Sequence, residues 1–357
     1  MIACRLALLL ITAAASFNAA ERVVTVHLAA PVANAPVIDG KLDEACWKTL
    51  PKTTTMYYFW SPAPSPAGSR TEFQLGYDKA GIYLGVRLWE DSMATIKASI
   101  TGRGDGNLWQ DDCCETYFDP TAAAVGYRKF IFNSLSAQSG VLQMDGANVD
   151  SSWNPDGWKV ATTKDDTGWT AELFYPYKDL DKIAVPGALW RFAMTRFGYS
   201  KTGSFATSAP GAKYDSPGAF GWLYFLAKAD AEPLTLGREL SATISGDWLL
   251  PVGSSAIACR AGQVTVVPLA DPVIAGRAQV QTGLESARAL PGAGAETVVT
   301  ELKAISDALA TIPAAVSDAA VFSKAVLDAN NLLQRLENVA YGLKLDELLK
   351  QVEPTTK

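Results

Sequence analysis

The sequence predicts a mainly β protein, an antiparallel β-sandwich followed by a C-terminal helical hairpin or small helical bundle. Between residues 22 and 226 apolar residues alternate with polar ones, as in strands that bury one face. Clusters of Gly, Pro, Ser and Asp separate these segments at the spacing typical of sandwiches. Beyond residue 272 the apolar period becomes helical, and all ten Trp lie between Trp47 and Trp248. The chain therefore has two compositional halves.

The first 20 residues have the pattern of a secretory signal peptide. Arg5 gives a positive start, residues 6–15 form an apolar run too short to cross a bilayer, and small residues follow. The alternative is an ordinary N-terminal strand. Since no other segment reaches the roughly 18 apolar residues of a membrane helix, we predict a secreted or periplasmic protein without a membrane span.

The same patterns give the domain boundaries. We expect a signal peptide over 1–20, the sandwich over 21–230, a connecting segment with room for two strands over 231–271, and a helical region over 272–357. In the sandwich, a hairpin is predicted over 73–88 and one helix over 42–50. Further strands are predicted at 113–119, 128–135, 158–164, 169–174, 190–196 and 220–226.

Two apolar stripes define the helical region. Val298 to Ile312 follow a 4-3-4-3 spacing, a second stripe runs from Phe322 to Leu343, and Pro313 separates them. A weaker helix is expected over 274–290. Helices of this length with short connections favour an internal bundle over a partner-binding coiled coil. Self-association through this region is the other role open to it.

Charge and residue counts exclude several functions. A formal net charge of −6 gives no electrostatic basis for binding nucleic acid or an anionic membrane. The single histidine, His27, disfavours Ser-His-Asp catalysis and multi-histidine metal sites. We therefore expect neither a catalytic triad nor a bound transition metal.

Four cysteines lie beyond the leader. Cys113 and Cys114 are neighbours on a predicted strand, so their side chains point to opposite faces and cannot both be core residues of that strand. We predict at most one disulfide in the sandwich, in which Cys114 pairs with Cys46 or Cys259.

Residues 108–115 (LWQDDCCE) combine groups that bind sugars. Aromatic rings stack on the C–H faces of sugars, and carboxylates accept hydrogen bonds from hydroxyl pairs. Trp109 lies in the loop that enters the strand, and Glu115 alternates with Cys114 along it. If Cys114 faces the core, Glu115 and Tyr117 face solvent or a ligand. The alternative is that Trp109 belongs to the core and the acidic residues are solvated.

Four spaced segments resemble carbohydrate-binding module family 9, a β-sandwich module of secreted polysaccharide-degrading systems with a DOMON-like architecture. The segments are 37–47 (VIDGKLDEACW), 77–91 (YDKAGIYLGVRLWED), 109–120 (WQDDCCETYFDP), and 168–176 (GWTAELFYP) together with 217–222 (PGAFGW). Their order covers residues 22–228 and leaves the helical region unassigned. The resemblance implies a non-catalytic binding module that uses no cofactor.

The resemblance also implies site residues. Family members clamp a sugar between two aromatic rings with nearby Glu, Asn and Arg. Trp109 is similar to the first ring, Glu115 to the acidic partner and Phe205 to the second ring, while Arg128 and Gln138 fall near the remaining polar positions.

Two positions depart from the family pattern. Phe205 replaces the usual Trp and offers a smaller platform, and Ala193 stands where Asn is common. Both departures predict weaker sugar binding than is usual in the family.

Calcium occurs with this fold, and several acidic residues are candidate ligands. Calcium takes six to eight oxygen ligands, and the candidates are Asp39, Asp43, Asp145 and Asp150, with Asn148 nearby. The alternative is that these residues form ordinary Asx turns and a helix cap.

The function predicted from the sequence is an exported carbohydrate-binding protein that recognises a sugar or polysaccharide end in polysaccharide utilisation. One alternative is a glycoside hydrolase, or a hydrolase-associated protein, that uses Asp111, Asp112 and Glu115 on O-glycosyl bonds. Another is a haem-binding sandwich with His27 as a ligand. A third is a non-binding structural protein of the cell envelope that assembles through the helical region.

Overall fold

The computed structural model describes residues 22–60, 70–144, 148–199, 204–212, 216–229, 232–316 and 318–352, which form two compact units. The first unit comprises residues 24–244 and 319–321, and the second comprises the other described residues. No helix among the described residues is long and apolar enough to span a bilayer.

The strands, in chain order, are β1 (Arg22–Val23), β2 (Val26–Pro31), β3 (Lys52–Thr53), β4 (Tyr57–Tyr58), β5 (Thr71–Tyr77), β6 (Gly81–Trp89), β7 (Cys113–Asp119), β8 (Tyr127–Asn133), β9 (Gln138–Gln143), β10 (Val149–Asp150), β11 (Lys159–Asp165), β12 (Gly168–Pro176), β13 (Leu189–Gly198), β14 (Ser204–Thr207), β15 (Gly221–Phe225), β16 (Trp248–Val252), β17 (Ser255–Arg260) and β18 (Gln263–Pro268). The helices are α1 (Ala45–Thr49), α2 (Tyr177–Leu180), α3 (Pro233–Ser241), α4 (Ala270–Arg288), α5 (Glu296–Thr311) and α6 (Ala319–Val352).

The first unit is a curled sheet whose two halves face each other. Its strand order is β10-β9-β8-β7-β13-β15-β2-β5-β6-β12-β11, with β3, β4 and β14 added at the side. The curl brings β7 against β12, since Thr116 Oγ1 and the Tyr175 hydroxyl are 2.8 Å apart and the Phe118 and Tyr175 rings 5.0 Å apart. Residues from both halves share one buried apolar core. The predicted sandwich is confirmed.

Strand β2 makes the sheet less regular than the sequence predicts. It pairs in parallel with both β15 and β5, whereas the other pairings in this sheet are antiparallel among the described residues. Parallel neighbours require long connections, and residues 32–70 supply one between β2 and β5. The sandwich is therefore mixed rather than wholly antiparallel.

The first and fourth family-like segments meet at Glu172 on β12. Its Oε2 accepts the Asp39 and Gly40 N–H groups at 2.9 and 2.8 Å, and its Oε1 accepts the Trp47 indole N–H at 2.7 Å. Gly40 has φ 89°, and a Cβ there would lie 2.7 Å from the Thr162 carbonyl carbon. Asp39, Gly40, Trp47 and Glu172 thus hold the first and fourth segments together within the fold.

Helix α1 is shorter than the predicted helix over 42–50. Glu44 precedes it with extended backbone, φ −65° and ψ 154°. The Glu44 carboxylate accepts the Val37 N–H at 2.9 Å and the Trp47 indole N–H at 3.1 Å. These bonds hold the segment before Ala45 outside the helix.

The second unit is a four-stranded sheet with three helices. The strand order is β1-β16-β17-β18, and β17 and β18 join through Ala261 and Gly262, both with positive φ as a tight hairpin turn requires. Leu249 and Ala258 of the sheet share an apolar core with the helices. The segment predicted as a connection over 231–271 thus contains α3 and three strands, and α4 begins at Ala270.

Candidate functional site

Strand β7 lies between β8 and β13, and all seven of its residues are buried. Cys114 and Phe118 face the sandwich core, whereas Cys113 and Tyr117 belong to two separate apolar clusters on the opposite side. We call that opposite side, which carries Cys113, Glu115 and Tyr117, the outer face. Cys113 and Cys114 therefore point to opposite faces, as strand alternation predicts, and both are buried because residues such as Phe59, Leu108 and Phe220 pack on the outer face as well. The four described cysteines are all free thiols.

Trp109 stands exposed at the start of β7. It lies in a single 3-10 turn, Leu108–Gln110, in which Leu108 is buried and Trp109 is 47% exposed. The Cys113 thiol lies 3.9 Å from the Trp109 carbonyl oxygen. The alternative of a core tryptophan at this position is therefore excluded, and the ring is available for contact with a ligand.

Glu115 is buried beside a lysine that the sequence reasoning did not single out. Its side chain accepts a hydrogen bond from the Tyr117 hydroxyl and forms an ion pair with Lys129 Nζ at 3.3 Å. Glu115 is 3% exposed, so it does not face solvent as expected. Burial, and then the Glu115 charge, raise the pKa of Tyr117 well above its usual value. Tyr117 therefore remains a hydroxyl donor to the carboxylate.

Two threonine hydroxyls extend the polar row from Glu115. Thr195 lies directly opposite Glu115 on β13, and Thr207 lies opposite Thr195 on β14. Both side chains are fully buried, and the Thr195 hydroxyl is a hydrogen-bond partner of the Tyr117 hydroxyl. Apolar clusters border this row on both sides. The outer face thus carries a narrow polar strip between apolar walls.

Phe205 lies on the same face. It is opposite Phe197 of β13, which is itself opposite Cys113. The Phe205 and Phe197 rings are 5.4 Å apart at 67°, so Phe205 is partly buried against its neighbour. The structure therefore places Glu115 and Phe205 on the outer face, with Trp109 in the exposed turn that leads into β7. Whether the three side chains contact one ligand stays a prediction.

Arg128 and Gln138 lie on the other side of the sheet. Arg128 is opposite Phe118, and Gln138 is opposite Phe132, whose partner on β7 is Cys114. Arg128 forms an ion pair with Asp181 at 2.5 Å. The structure does not bring these two residues to Glu115, and their predicted contact with sugar stays a prediction.

The Gln138 amide is engaged in local hydrogen bonds. Its Oε1 accepts from Arg103 Nη2 at 2.9 Å, and its Nε2 donates to the Trp158 carbonyl at 3.3 Å. These bonds tie β9 to Arg103 in the loop before β7 and to Trp158 before β11.

The acidic residues before Glu115 are buried rather than solvated. Asp111 Oδ2 accepts the N–H groups of Ser99 and Ile100 at 3.0 and 2.9 Å and the Asn133 amide at 2.9 Å. Burial alone would raise the pKa of Asp111, but these hydrogen bonds hold the pKa below its usual value. Asp112 Oδ2 accepts the Lys97 N–H at 3.0 Å. Both carboxylates fix the segment that precedes β7.

The calcium candidates that the structure describes do not form a cluster. Among the described residues no group of three or more His, Cys, Asp or Glu side chains is arranged to hold a metal ion. Asp39 Oδ1 accepts the Lys41 N–H at 3.0 Å, and Asp150 Oδ1 accepts the Ser152 N–H at 2.9 Å, both as Asx turns. Asp43 is exposed, and Asp145 lies outside the described residues. Calcium binding stays a prediction.

Comparison with family models gives the class of protein first: a carbohydrate-binding β-sandwich domain. The matching model is the carbohydrate family 9 binding domain-like family, over residues 38–224, more than half of the chain. The chain belongs to this family, and the resemblance inferred from four segments is confirmed. No curated protein matches the chain.

Three solved structures are similar in part. A proposed carbohydrate-binding protein from Bacteroides uniformis is 15% identical with TM-score 0.45, covering 57% of this chain and 99% of its own. A family 9 carbohydrate-binding module from Caldicellulosiruptor kristjanssonii in complex with cellotriose is 14% identical with TM-score 0.43, covering 57% and 95%. The same organism's family 9 module in complex with glucose is 14% identical with TM-score 0.41, covering 58% and 98%.

Proposed function

We propose that this protein binds a sugar or a polysaccharide end on the outer face of its sandwich. The observation that carries the proposal is the exposed Trp109 ring at the start of the strand that holds Glu115. Family membership over residues 38–224 supports a carbohydrate as the ligand. Trp109 would supply the stacking surface, and the exposed Asn107 and Gln110 side chains beside it would supply directional hydrogen bonds to hydroxyl groups.

The hydrogen bonds and ion pair of the three carboxylates favour sugar binding over sugar hydrolysis. A glycoside hydrolase needs two carboxyl groups placed on either side of the scissile bond. Asp111 and Asp112 instead hold backbone N–H groups, and Glu115 pairs with Lys129. This arrangement supports a non-catalytic module.

The test is a glycan array probed with the wild type and with Trp109→Ala. Binding that is present in the wild type and lost in the variant supports the proposal. A matched control is Ile183→Ala, because Ile183 is also an exposed apolar side chain and belongs to neither cluster of the outer face. Equal signals from wild type and Trp109→Ala would contradict the proposed site.

Export and a role in polysaccharide utilisation complete the proposal. The signal-like pattern over residues 1–20 supports export, although these residues lie outside the described part of the chain. N-terminal sequencing of the protein from the producing cells should find a mature start near residue 16 or 21. A protein that retains Met1 would contradict export by cleavage.

A second candidate function, self-association, is favoured by the last turns of α6. Tyr341, Leu345 and Leu348 are exposed at helical spacing, and Leu349 lies beside them. Sedimentation of the full chain across a concentration series tests this role. Association that Leu345→Lys removes supports it, and a monomer at all concentrations contradicts it.

A further inference from the structure

Strand β18 forms an open edge of the sheet in the second unit. In the order β1-β16-β17-β18 it pairs, among the described strands, with β17 alone. Gln263, Thr265, Val266 and Pro268 of this strand are exposed. An edge strand carries a row of backbone N–H and C=O groups that can pair with a further strand. We therefore asked which strand fits this edge.

The other edge strands that the structure describes are protected, whereas β18 is not. Native edge strands are commonly very short or carry charged side chains, which keeps them from pairing with other chains. Strands β1, β3, β4 and β10 have two residues each, and β11 carries Lys159, Lys164 and Asp165. Strand β18 has six residues and no charged side chain. Its Pro268 stands at the last position and leaves the residues before it able to pair.

The hairpin register determines which backbone groups of β18 face outward. The two-residue turn at 261–262 closes on the pair of Arg260 and Gln263. In such a hairpin the closing pair is hydrogen-bonded, and hydrogen-bonded pairs alternate with pairs whose groups point away from the partner strand. Val264 and Val266 therefore direct their N–H and C=O groups away from β17.

Two neighbouring residues agree with this alternation. The Leu269 N–H donates to the Ser254 carbonyl at 3.4 Å, so the odd-numbered positions continue to face β17 beyond the strand. Pro268, which has no N–H, falls at an outward position, where it removes no bond to β17.

A second copy of β18 matches this edge when the two strands run antiparallel about Thr265. Val264 of each copy then lies opposite Val266 of the other, and every outward N–H and C=O of these residues meets a partner. A pairing centred on Val266 would instead set Val264 opposite Pro268, which has no N–H to donate. A pairing centred on Val264 would set Val266 opposite Gly262, which belongs to the turn and has φ 76°.

The short edge favours a preformed strand over a flexible peptide. Val264 and Val266 offer only two N–H groups, so a flexible peptide would be ordered in return for few hydrogen bonds. A second β18 is already ordered by its own β17, is uncharged and has the same length. The pairing would also cover Val266, which is 42% exposed, with Val264 of the second copy.

We propose that two copies of this chain associate through β18, in an antiparallel pair centred on Thr265 that joins their four-stranded sheets into one continuous sheet. The pair is closed by a two-fold axis, because the same strand serves both copies. This inference does not depend on the proposed sugar binding, and it places self-association on a surface other than the last turns of α6.

Sedimentation of the full chain across a concentration series tests the interface, with thermal melts to show that each variant is folded. We expect the wild type to dimerise reversibly. Thr265→Lys sets two ammonium groups opposite each other and should raise the dissociation constant of the dimer by about tenfold or more. Thr265→Val keeps a β-branched side chain and should dimerise as the wild type does. Leu345→Lys, on α6, should also leave the dimer intact.

Cross-linking of Thr265→Cys tests the register. Its Cα atoms would be about 4.5 Å apart across the two-fold axis, within the range of a disulfide, so oxidation should give a covalent dimer on a non-reducing gel. The matched control is Gln263→Cys, which is exposed on the same face of β18. Its two copies would lie about 13 Å apart along the strands, too far for a disulfide.

Three results would overturn the inference. The first is a wild type that stays monomeric at all concentrations. The second is a dimer that survives Thr265→Lys and is lost in Leu345→Lys, which would return self-association to α6. The third is equal cross-linking of Thr265→Cys and Gln263→Cys, or no cross-linking of Thr265→Cys.

Discussion

The ion pair of Glu115 and Lys129 determines how this carboxylate can take part in binding. One oxygen is held by Lys129 and the other by the Tyr117 hydroxyl, yet a carboxylate has lone pairs left for a sugar hydroxyl. Glu115 is 3% exposed, so it belongs first to this network, and its direct contact with a ligand stays a prediction. Its removal affects folding as well as binding.

Glu115→Ala should lower the free energy of unfolding by about 1–3 kcal/mol, because it removes the acceptor of the buried Tyr117 hydroxyl and the partner of the partly buried Lys129 ammonium. Urea denaturation of the wild type and variant measures this. The matched control is Asp156→Ala, whose pair with Lys178 is solvent-exposed and should contribute much less. Equal effects of the two changes would show that the Glu115 pair is not desolvated.

His27 gives a pH dependence that can be assigned to one residue. It is buried against Phe73 and Phe192, and burial lowers its pKa to about 3. The His27 ring is therefore protonated below about pH 6.5 in the unfolded chain, whereas in the folded chain it stays neutral until the pH approaches 3. Stability due to neutral His27 is present above pH 6.5 and is lost as the pH falls toward 3.

Because His27 is the single histidine, its ring resonances report this directly. We expect them to stay those of a neutral imidazole from pH 7 to pH 5 in folded protein. A midpoint between pH 6 and 7 would contradict the burial of the ring. This burial also leaves no open coordination side for a haem.

At the level of strands and turns, the Glu172 side chain joins β12 to the turn at Asp39 and Gly40. Burial raises the pKa of Glu172 to about 7 although N–H groups donate to it. In the unfolded chain the carboxyl ionises near pH 4.5, so between these values the folded chain binds more protons. The stability that Glu172 contributes is full below pH 4.5 and declines as the pH rises to 7.

Comparison of the wild type with Glu172→Gln isolates this effect from that of His27. The difference in unfolding free energy between the two proteins should shift against the wild type as the pH rises from 4.5 to 7. Chemical denaturation at several pH values measures it. A difference that is constant over this range would contradict the raised pKa.

Helix α3 extends the C-terminal boundary of the sandwich domain beyond residue 230. Leu236 and Leu240 are buried, and the Tyr224 hydroxyl donates to Glu239 at 2.6 Å. We predict that residues 21–244 fold alone with a cooperative melt and a β-type circular dichroism spectrum. Residues 21–230, the boundary expected from the sequence, should melt lower because α3 is missing. An unfolded product from 21–244 would contradict an autonomous sandwich.

Local pattern predicts single elements of this protein well. The bounds expected for β7 are those observed, because alternation and flanking turns are both encoded within residues 113–119. What covers its outer face is not encoded there. Residues that pack on it, such as Phe59 and Leu108, lie in turns, which show no period.

The same limit applies to the side chains of the site. Trp109 and Glu115 could be found because they lie six residues apart on one segment. Lys129 could not, since its proximity to Glu115 depends on the register of β8 against β7. Lys129 lies two residues before Ile131, so strand alternation places both side chains on the same face of β8. A charged residue on the same face as an apolar one is the sequence feature that could have identified Lys129.

For the chain as a whole, the account depends on a sugar that stacks on Trp109. The most direct measurement is calorimetry of the full chain and of Trp109→Ala with a bound oligosaccharide, run beside thermal melts. We predict binding by the wild type, a loss of about 1–3 kcal/mol of binding free energy in Trp109→Ala, and unchanged melting, because the ring is largely outside the core. No sugar response in the wild type, or a sharply lowered melting temperature in Trp109→Ala with binding retained, would contradict it.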